Sequence, residues 1–408
     1  MTGYPLEKDA IQLVLGLKEP WSVKQVSFSD TEKRLDIYIE FQRGAKFSCP
    51  SCGTELCDVH DTIDKEWRHL DFFQYPSYIH ARVPRIKCDQ CKVVMIDVPW
   101  SRKMSSFTSL FEHMVVLMAQ SMQISKVAEL VHEHDTRIWR IIKHYVKTAL
   151  KKEDYSNVTA VCVDETSERK GHNYITIFAD KKTGKVLFVT RGKDSSTIGR
   201  FFTELLCHHG NPWKIEQVSC DMSPAFISGI SEYLVNAKII FDKFHVMQLV
   251  NKAIDEVRRV EQKENSILKK TRYIWLKSIN RLTEKQSQAL FSLRSLNLKT
   301  ARAYQMKLNI QEIWKIQDRD EAHLYLKKWY FWLTHSRLDP MISLAKTIRN
   351  HWEGILNYFE CRFTNALMEG LNSVVQSLKR SARGYKNTDN FITMIYLRCG
   401  KLNFDLPT

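Results

Sequence analysis

The first regular pattern along the chain is an alternation of apolar and polar residues. Leu35, Ile37, Ile39 and Phe41 occupy every second position of the segment RLDIYIEFQR. A period of two places the apolar side chains on one face of an extended strand. The segment therefore predicts a strand that covers a small core, within an N-terminal ribbon of strands.

From about residue 105 to residue 150 the spacing of apolar residues becomes helical, in three short amphipathic runs. Apolar residues at i, i+3, i+4 and i+7 form one stripe of a helix, and that stripe is buried when helices pack together. The residues predicted to face inward are Ile124, Val127, Leu130 and Val131 in the second run, and Ile138, Ile141, Ile142 and Tyr145 in the third. The pattern predicts a bundle of three helices.

The next region predicts strands that alternate with helices. VTAVCVD is a nearly continuous apolar run that ends at Asp164, and HNYITIFAD and VLFVTR form a hairpin through KKTGK. Two further strands end at Asp221 and Asp242, each close to a helical pattern, and Ser195 or Ser196 is expected to cap the helix that follows the hairpin. Strands followed by alternating helices and strands predict a mixed α/β sheet.

The 147 residues between Asp221 and Glu369 are too many for a loop, and their helical spacing predicts an all-helical insertion. Its tryptophans are expected to be mostly core, with contact to DNA as the alternative for one or two of them: Trp275, Trp314, Trp329, Trp332 and Trp352.

After the insertion, the segment RFTNALMEGLNSVVQSLKR predicts one more amphipathic helix. Its apolar face is expected to carry Phe363, Leu367, Leu371, Val374 and Leu378, and its polar face Asn365, Glu369, Asn372 and Gln376. Gly370 is expected to let the helix backbone approach a sheet closely.

Composition and charge narrow the class of protein. The chain has 408 residues, 44% of them hydrophobic, with only 14 Gly and 10 Pro, so it can bury two or three domain cores and is not a low-complexity chain. Its formal net charge of +15 indicates a polyanionic partner. No apolar run approaches the roughly 20 residues of a membrane span. The start lacks a secretion signal, which favours a reducing compartment.

Four of the ten cysteines form two C-x-x-C pairs, Cys49 with Cys52 and Cys88 with Cys91. Two such pairs can enclose one tetrahedral zinc ion, although the 35-residue gap between them is longer than usual and must fold on its own account. Disulfides are the less favoured alternative, and Cys57 and His60 are further candidate ligands. The basic residues Arg82, Arg85 and Lys87 near the second pair suit either phosphate contact or a solvated strand edge.

The third helical run has a basic face opposite its isoleucines. Arg137, Arg140, His144 and Lys147 recur at three- and four-residue spacing. This is the layout of a recognition helix that enters the major groove of DNA, with a solvated helix face as the alternative. Trp139 is interpreted as a packing residue.

The strand-end aspartates suggest metal chemistry. One aspartate at a strand end is usually a turn former or a helix cap, but two on neighbouring strands repel each other unless cations lie between them. A pair of magnesium ions is the known solution in phosphoryl transfer, and such a site needs one more acidic ligand. Glu369 is the candidate, with an ordinary solvent-facing glutamate as the alternative. Glu165 is expected to point to the opposite face of its strand.

Taken together, these residues resemble insertion-sequence transposases of the ISL3 type, which join a zinc ribbon, a helix-turn-helix and a DDE catalytic domain. The segments that carry the resemblance are CPSC, CDQC, VCVDETSERKGHNYITIFADKKTGKVLFVTRGKD, VSCDMSPAF, FDKFHVMQLVNKAIDEVRR and TNALMEGLNSVVQSLKRSARGYKN. The resemblance implies a ribonuclease H-like fold whose first and fourth strands are neighbours, with Asp164, Asp221 and Glu369 as the catalytic triad.

The same resemblance implies the cofactors and partners. Two Mg²⁺ or Mn²⁺ ions would be bound by the triad and one structural Zn²⁺ by the four cysteines. Supporting roles are expected for Asp242, His245, Asn365 and Asn372, with a capped helix start as the alternative for Asp242 and His245. DNA contacts are expected for Lys379, Arg380, Arg383 and Lys386 in addition to the recognition helix, with a solvated face as the alternative. The expected partners are double-stranded DNA, both terminal inverted repeats and target, and further copies of the chain, at least a dimer. The expected location is the bacterial cytoplasm, with the nucleoid.

The resulting expectation is a multidomain α+β protein. It comprises a zinc ribbon (1–100), a helix-turn-helix (101–152), a ribonuclease H-like mixed α/β catalytic domain (153–245 and 359–408) and an all-helical insertion (246–358). The expected function is transposition by metal-dependent cleavage and joining of DNA strands. The alternatives are an inactive DNA-binding regulator derived from a transposase, and a nuclease without strand transfer.

Overall fold

The computed structural model describes residues 8–168, 173–361 and 366–405. The described chain folds as two units. The first comprises the described residues of Met1–Thr148 and of Asn403–Thr408, and the second is Ala149–Leu402.

The first unit begins with helix α1 (Lys8–Val14) and a sheet. The strands of this sheet are β1 (Trp21–Ser29), β2 (Arg34–Phe41), β3 (Val59–Phe72), β4 (Tyr75–Cys88) and β5 (Lys92–Met95). Their order is β1-β2-β4-β3, with β5 paired to β4. Leu35, Ile37 and Ile39 are buried and Phe41 is half-buried, which confirms the strand predicted from their alternation. The long β3–β4 hairpin fills most of the gap between the two cysteine pairs.

The three predicted helices follow as α2 (Ser109–Ser121), α3 (Ile124–Leu130) and α4 (Asp135–Leu150). Ile138, Ile141 and Ile142 are buried, as expected. Leu130 was wrongly predicted to face inward. It is 43% exposed, because α3 ends at this residue and Val131, directly after the helix, fills the core instead.

The helices are joined to the sheet by backbone hydrogen bonds. The Arg68 amide of β3 donates to the Ser106 carbonyl, and the Thr108 amide donates to the Arg68 carbonyl, both at 2.9 Å. Thr108 also caps α2, since its hydroxyl accepts from the Phe111 amide. The cysteine-rich sheet and the three helices therefore belong to the same unit.

The second unit is built around another sheet. Its strands are β6 (Ala160–Ser167), β7 (Tyr174–Asp180), β8 (Val186–Arg191), β9 (Gln217–Cys220) and β10 (Lys238–Phe241), with helices α5 (Ser196–Cys207) and α6 (Pro224–Tyr233) between them. The order is β10-β9-β6-β7-β8; β6, β9 and β10 are parallel to one another and β7 runs antiparallel to both of its neighbours. The fourth strand thus lies beside the first, as the resemblance implied.

Two local predictions in this sheet were wrong. β6 does not end at Asp164: it continues to Ser167 because its antiparallel pairing with β7 extends to Ser167 opposite Tyr174. Ser195 occupies the N-cap position of α5 but its side chain makes no capping hydrogen bond. The Asp194 carboxylate caps the helix instead, accepting from the Ser196 amide at 2.9 Å.

The predicted insertion is helical throughout the residues described. Its helices are α7 (Lys243–Glu261), α8 (Arg272–Leu276), α9 (Glu284–Arg294), α10 (Lys299–Ile313), α11 (Arg319–Thr334), α12 (Asp339–Asn350) and α13 (Trp352–Cys361). Trp275, Trp329 and Trp352 are buried, Trp314 is half-buried, and Trp332 is 38% exposed. Glu261 ties α7 to α10, because its carboxylate accepts from the amides of Lys299 and Thr300.

The chain ends with α14 (Ala366–Ser381) and α15 (Thr388–Cys399). The predicted apolar face of α14 was partly wrong. Met368 and Val375 are buried in it, whereas Val374 is 42% exposed, so the buried stripe is rotated by about one residue. Gly370 does not mark a close approach either, since no described atom lies within 4 Å of where its Cβ would be. None of the described helices has the length and apolarity that a membrane span requires.

Candidate functional site

Four thiols meet at one end of the first sheet. The sulfur atoms of Cys49, Cys52, Cys88 and Cys91 lie within 4.8 Å of one another. Cys52 Sγ and Cys88 Sγ are 3.5 Å apart, close to the roughly 3.8 Å between sulfurs that a tetrahedral ion with 2.3 Å Zn–S bonds requires. The two C-x-x-C pairs thus form a structural zinc site, as predicted.

Local backbone geometry prepares this site. The Cys49 amide donates to the Thr54 carbonyl, and Gly53 adopts a φ of +77° that favours glycine in the tight turn. Hydrogen bonds from the Thr54 side chain and backbone lower the pKa of Cys52 to about 6, which favours the thiolate that binds zinc. Cys57 lies outside the group of four, and its thiol donates to the Thr54 carbonyl.

The surroundings of the zinc site are less uniformly basic than the sequence suggested. His60, a candidate ligand, is exposed and lies 3.3 Å from the Asp61 carboxylate. Arg85 forms an ion pair with the same carboxylate. Of the three basic residues predicted near the second cysteine pair, Arg82 and Lys87 are exposed.

On α4 the four predicted basic residues differ in environment. Arg140, His144 and Lys147 are exposed. Arg137 is half-buried: its guanidinium donates to Glu133 and to the Ser106 hydroxyl, and it lies 4.3 Å from the centre of the Phe107 ring. Arg137 therefore helps to hold α4 against the segment before α2. Trp139 is half-buried, in keeping with a packing residue.

In the second sheet, pairing register brings two aspartates level with each other. β6 and β9 are parallel, with Ala160 opposite Gln217 and Cys162 opposite Ser219. Continuing that register by two residues brings Asp164 level with Asp221, directly after the end of β9. Because side chains two residues apart on a strand share a face, Asp164 lies on the same face of β6 as Cys162.

The electrostatics of Asp164 agree with this proximity. Burial raises the pKa of Asp164, and the Asp221 carboxylate raises it further, whereas the Asn372 amide and His245 oppose the rise. Burial also raises the pKa of Glu165, and both Asp221 and Asp164 add to that rise. Asp164 and Glu165 thus lie close enough to the Asp221 carboxylate for its negative charge to add to the rise in their pKa values.

Helix α14 is held against β6 by three polar contacts. Asn372 Nδ2 donates to Asp164 Oδ2 at 2.5 Å, and Gln376 Nε2 donates to Thr166 Oγ1 at 2.7 Å. The third contact runs from the Lys379 ammonium to the Ser167 carbonyl, also at 2.7 Å. The sequence had placed Asn372 and Gln376 on a polar face, but it missed Thr166 and this use of Lys379. The signal was the i, i+4, i+7 spacing of the three donors.

Glu369 lies in the first turn of α14 and is exposed. It stands two turns before Gln376, and residues seven apart fall on nearly the same stripe of a helix. Glu369 is therefore on the side of α14 that faces the Thr166 side of β6. Asn365, a predicted supporting residue, lies outside the described residues, as does Phe363.

Two of the predicted supporting residues, Asp242 and His245, lie at the start of α7. Asp242 is 3% exposed and occupies the N-cap position, but its side chain makes no capping hydrogen bond. His245 is half-buried and close enough to Asp164 to lower the pKa of that carboxyl. Of the predicted DNA-contacting residues after Glu369, Arg380, Arg383 and Lys386 are exposed.

Comparison with known families decides the classification. Residues 161–395 match the family model described as the transposase of the ISL3 group. The chain belongs to the ISL3 family of transposases. Residues 96–146 of this transposase also match the helix-turn-helix domain of transposase family ISL3, and residues 45–91 match the zinc finger of the transposases IS204, IS1001, IS1096 and IS1165.

Individual transposases are similar along most of the chain. The transposase for insertion sequence element IS1001 from Bordetella parapertussis is 24% identical over 391 residues, covering 93% of this chain and 96% of that protein. The transposase for insertion sequence element IS1557 from Mycobacterium tuberculosis is 24% identical over 362 residues, covering 82% of this chain and 81% of that protein. The family matches and the alignments with these relatives therefore extend over both units of the chain.

Proposed function

We propose that this ISL3-family transposase cleaves and rejoins DNA at the ends of its own mobile element through a DDE triad of Asp164, Asp221 and Glu369. The observation that carries the proposal is the register of β6 and β9, which brings Asp164 level with Asp221 on neighbouring parallel strands. The strand order of the second sheet, with the fourth strand beside the first, is the order that a ribonuclease H-like catalytic domain needs.

The donor set fits hard divalent cations. Asp164 and Asp221 offer carboxylate oxygens, the ligands that Mg²⁺ and Mn²⁺ prefer. No lysine or arginine of the described residues forms an ion pair with either aspartate, so no described basic side chain neutralises them. Glu369 would complete the set. When bound, the ions would supply activation of a water or a DNA 3′-hydroxyl and stabilisation of the leaving oxygen in an in-line phosphodiester displacement.

The chain's own residues orient these ligands. Asn372 fixes one oxygen of Asp164, and the Glu165 amide donates to the other at 2.8 Å. Asp221 Oδ1 accepts from the Ser223 amide at 3.0 Å, which fixes that carboxylate at the start of α6. Asp242 and His245 would support the site from the start of α7. Fixed ligands reduce the reorganisation needed when the reacting groups meet.

DNA binding follows from the charge and the modules. The exposed residues Arg140, His144 and Lys147 of α4 would contact the terminal inverted repeats, with Arg137 holding the helix in place. The exposed residues Arg380, Arg383 and Lys386 would contact phosphates near the catalytic site, while Lys379 holds α14 against β6. Transposition requires two ends to be held together, so we propose at least a dimer on DNA, located with the bacterial nucleoid.

The test is strand cleavage and joining by purified full-length protein on DNA that carries the element's ends. Asp164→Asn, Asp221→Asn and Glu369→Gln should each abolish Mg²⁺-dependent cleavage while end binding is retained. Glu216→Gln is the matched control, because Glu216 is exposed and precedes the opposite end of β9 from Asp221. Full activity of any triad variant would remove that residue from the site.

A second assay separates the proposal from its alternatives. A DNA substrate with a free 3′-hydroxyl end should be joined to target DNA by the wild-type protein. Cleavage without joining would identify a nuclease. Specific binding with neither cleavage nor joining would identify an inactive regulator derived from a transposase.

A further inference from the structure

One polar atom beside the candidate catalytic carboxylates has no hydrogen-bond partner in the part of the chain that the structure describes. Asn372 Oδ1 is buried and accepts no hydrogen bond among the described residues. Buried side-chain oxygens are nearly always paired, and an exception calls for a physical reason. The other end of the same amide is fully used, since Nδ2 donates to Asp164 Oδ2.

The orientation of this amide is determined by chemistry. An ionised aspartate, the form that binds a cation, only accepts hydrogen bonds, so the nitrogen of Asn372 must face Asp164 in that form. If the amide were rotated by half a turn, its oxygen would lie against the Asp164 carboxylate. That carboxylate has no proton to donate, so the oxygen would still have no partner. The unpartnered atom is thus an oxygen, on the residue that holds Asp164.

Neighbouring contacts on α14 fix the position of Asn372. The hydrogen bonds from Gln376 to Thr166 and from Lys379 to Ser167 hold the same face of α14 against β6. They lie four and seven residues after Asn372, one and two helical turns along. With the helix fixed in rotation at two further points, Asn372 cannot turn its oxygen outward to water without breaking its contact with Asp164.

We propose that Asn372 is a positioning residue of the metal site, whose nitrogen orients Asp164 and whose oxygen enters the coordination sphere of the divalent cation, directly or through a metal-bound water. Carboxamide oxygens are accepted ligands of hard divalent cations, and residues that orient such ligands control metal affinity. The inference rests on the proposed function, because it needs a cation at Asp164 and Asp221.

The test measures Mn²⁺ binding to the zinc-loaded full-length protein without DNA, by the electron paramagnetic resonance signal of free Mn²⁺. The double variant Asp164→Asn, Asp221→Asn defines binding elsewhere on the protein. Asn372→Leu should bind Mn²⁺ at least about 10-fold more weakly than the wild type, the scale on which residues behind metal ligands act. Gln376→Leu, the matched control, removes the next contact without touching Asp164, and because the contact from Lys379 to Ser167 remains, it should weaken Mn²⁺ binding much less than Asn372→Leu does.

A conservative variant distinguishes metal positioning from helix docking. Asn372→Asp keeps an oxygen but places a second carboxylate against Asp164, so the protein should be less stable without metal and should gain more in melting temperature on adding Mn²⁺ than the wild type. A purely structural role predicts no such metal-dependent recovery.

The outcomes separate the two proposals. If the wild type binds Mn²⁺ no better than the double variant, the metal site itself is absent and both proposals fail. If the wild type binds specifically and Asn372→Leu binds equally well, or Gln376→Leu weakens binding as much, only the role of Asn372 is overturned.

Discussion

Two carboxylates of this transposase that are shielded from solvent, Glu112 and Asp164, differ in the donors that surround them. Glu112 is fully buried, and its oxygens accept from the Arg102 guanidinium at 2.8 Å and from the hydroxyls of Ser105 and Tyr145. Such a carboxylate is satisfied by the chain itself and has a structural role. Among the described residues, the donors to Asp164 are the Asn372 amide and the backbone of its neighbour Glu165. This difference between single residues supports assigning the metal to Asp164 and not to Glu112.

His69 is expected to make the first unit acid-sensitive. Burial, together with the charge of Arg68, lowers the pKa of His69 to about 4, and its Nδ1 is 2.9 Å from the Thr108 hydroxyl. The unfolded chain takes up the proton near its ordinary value of about 6.5, before the folded one does. Stability is therefore fully present above about pH 6.5 and is lost as the pH falls towards 4, by about 2 kcal/mol at pH 5.

The variant His69→Asn isolates this effect, because asparagine offers an acceptor to Thr108 but does not titrate. Chemical unfolding of both proteins at pH 7 and pH 5 should show a smaller loss of stability in the variant. Protonation of the zinc thiolates also destabilises the unit in acid, but it contributes equally to both proteins. Equal losses in the two would exclude His69 as the cause.

At the scale of elements, the sequence located α14 but not its rotation. Leu371 and Leu378 fit both the predicted stripe with Val374 and the observed stripe with Val375, and periodicity alone cannot choose between them. The choice is made by tertiary contacts with β6, which form only when Asn372 faces Asp164. The end of β6 was missed for a similar reason, since it depends on how far β7 continues to pair.

Two glycines on neighbouring helices should respond oppositely to alanine. In α13, a Cβ on Gly354 would lie 2.4 Å from Cε2 of the buried Phe241 ring in β10, so Gly354→Ala should cost about 1–3 kcal/mol by overpacking. In α14, Gly370 has nothing within 4 Å, so Gly370→Ala should stabilise by about 0.5–1 kcal/mol through helix propensity. Denaturant titrations would measure both, and a stabilised Gly354→Ala would contradict the observed packing of α13 on β10.

At the scale of the whole molecule, the sequence predicted the modules better than their grouping. The cysteine spacing and the basic helix each identified a module by its chemistry, which is local. The hydrogen bonds that join Arg68 to Ser106 and Thr108 involve backbone atoms that any residue possesses. No sequence pattern marks such a junction, so the sharing of one unit by the ribbon and the helices became visible only in the fold.

That grouping predicts how the protein responds to loss of zinc. β4 ends at Cys88 and pairs with both β2 and β3, so release of the ion should loosen the sheet on which α2 packs. A zinc chelator should lower the melting temperature of the first unit and leave that of the second unchanged, as measured by calorimetry. Cys88→Ser should give the same result without chelator. A joint shift of both transitions would show that the two units unfold together.

The net charge of +15 should act through the side chains that remain free to meet phosphate. Each phosphate neutralised on duplex DNA steepens the slope of log affinity against log salt by about 0.9. Arg140 and Lys147 are exposed on α4, so Arg140→Ala and Lys147→Ala should each flatten the slope for binding to the element's ends by about one unit. Arg137 already donates to Glu133 and Ser106, so Arg137→Ala should lower the stability of the first unit and change the slope less. Fluorescence anisotropy across a salt series measures the slopes, and a flattening by Arg137→Ala equal to that of Arg140→Ala would show that Arg137 leaves its contacts to bind DNA.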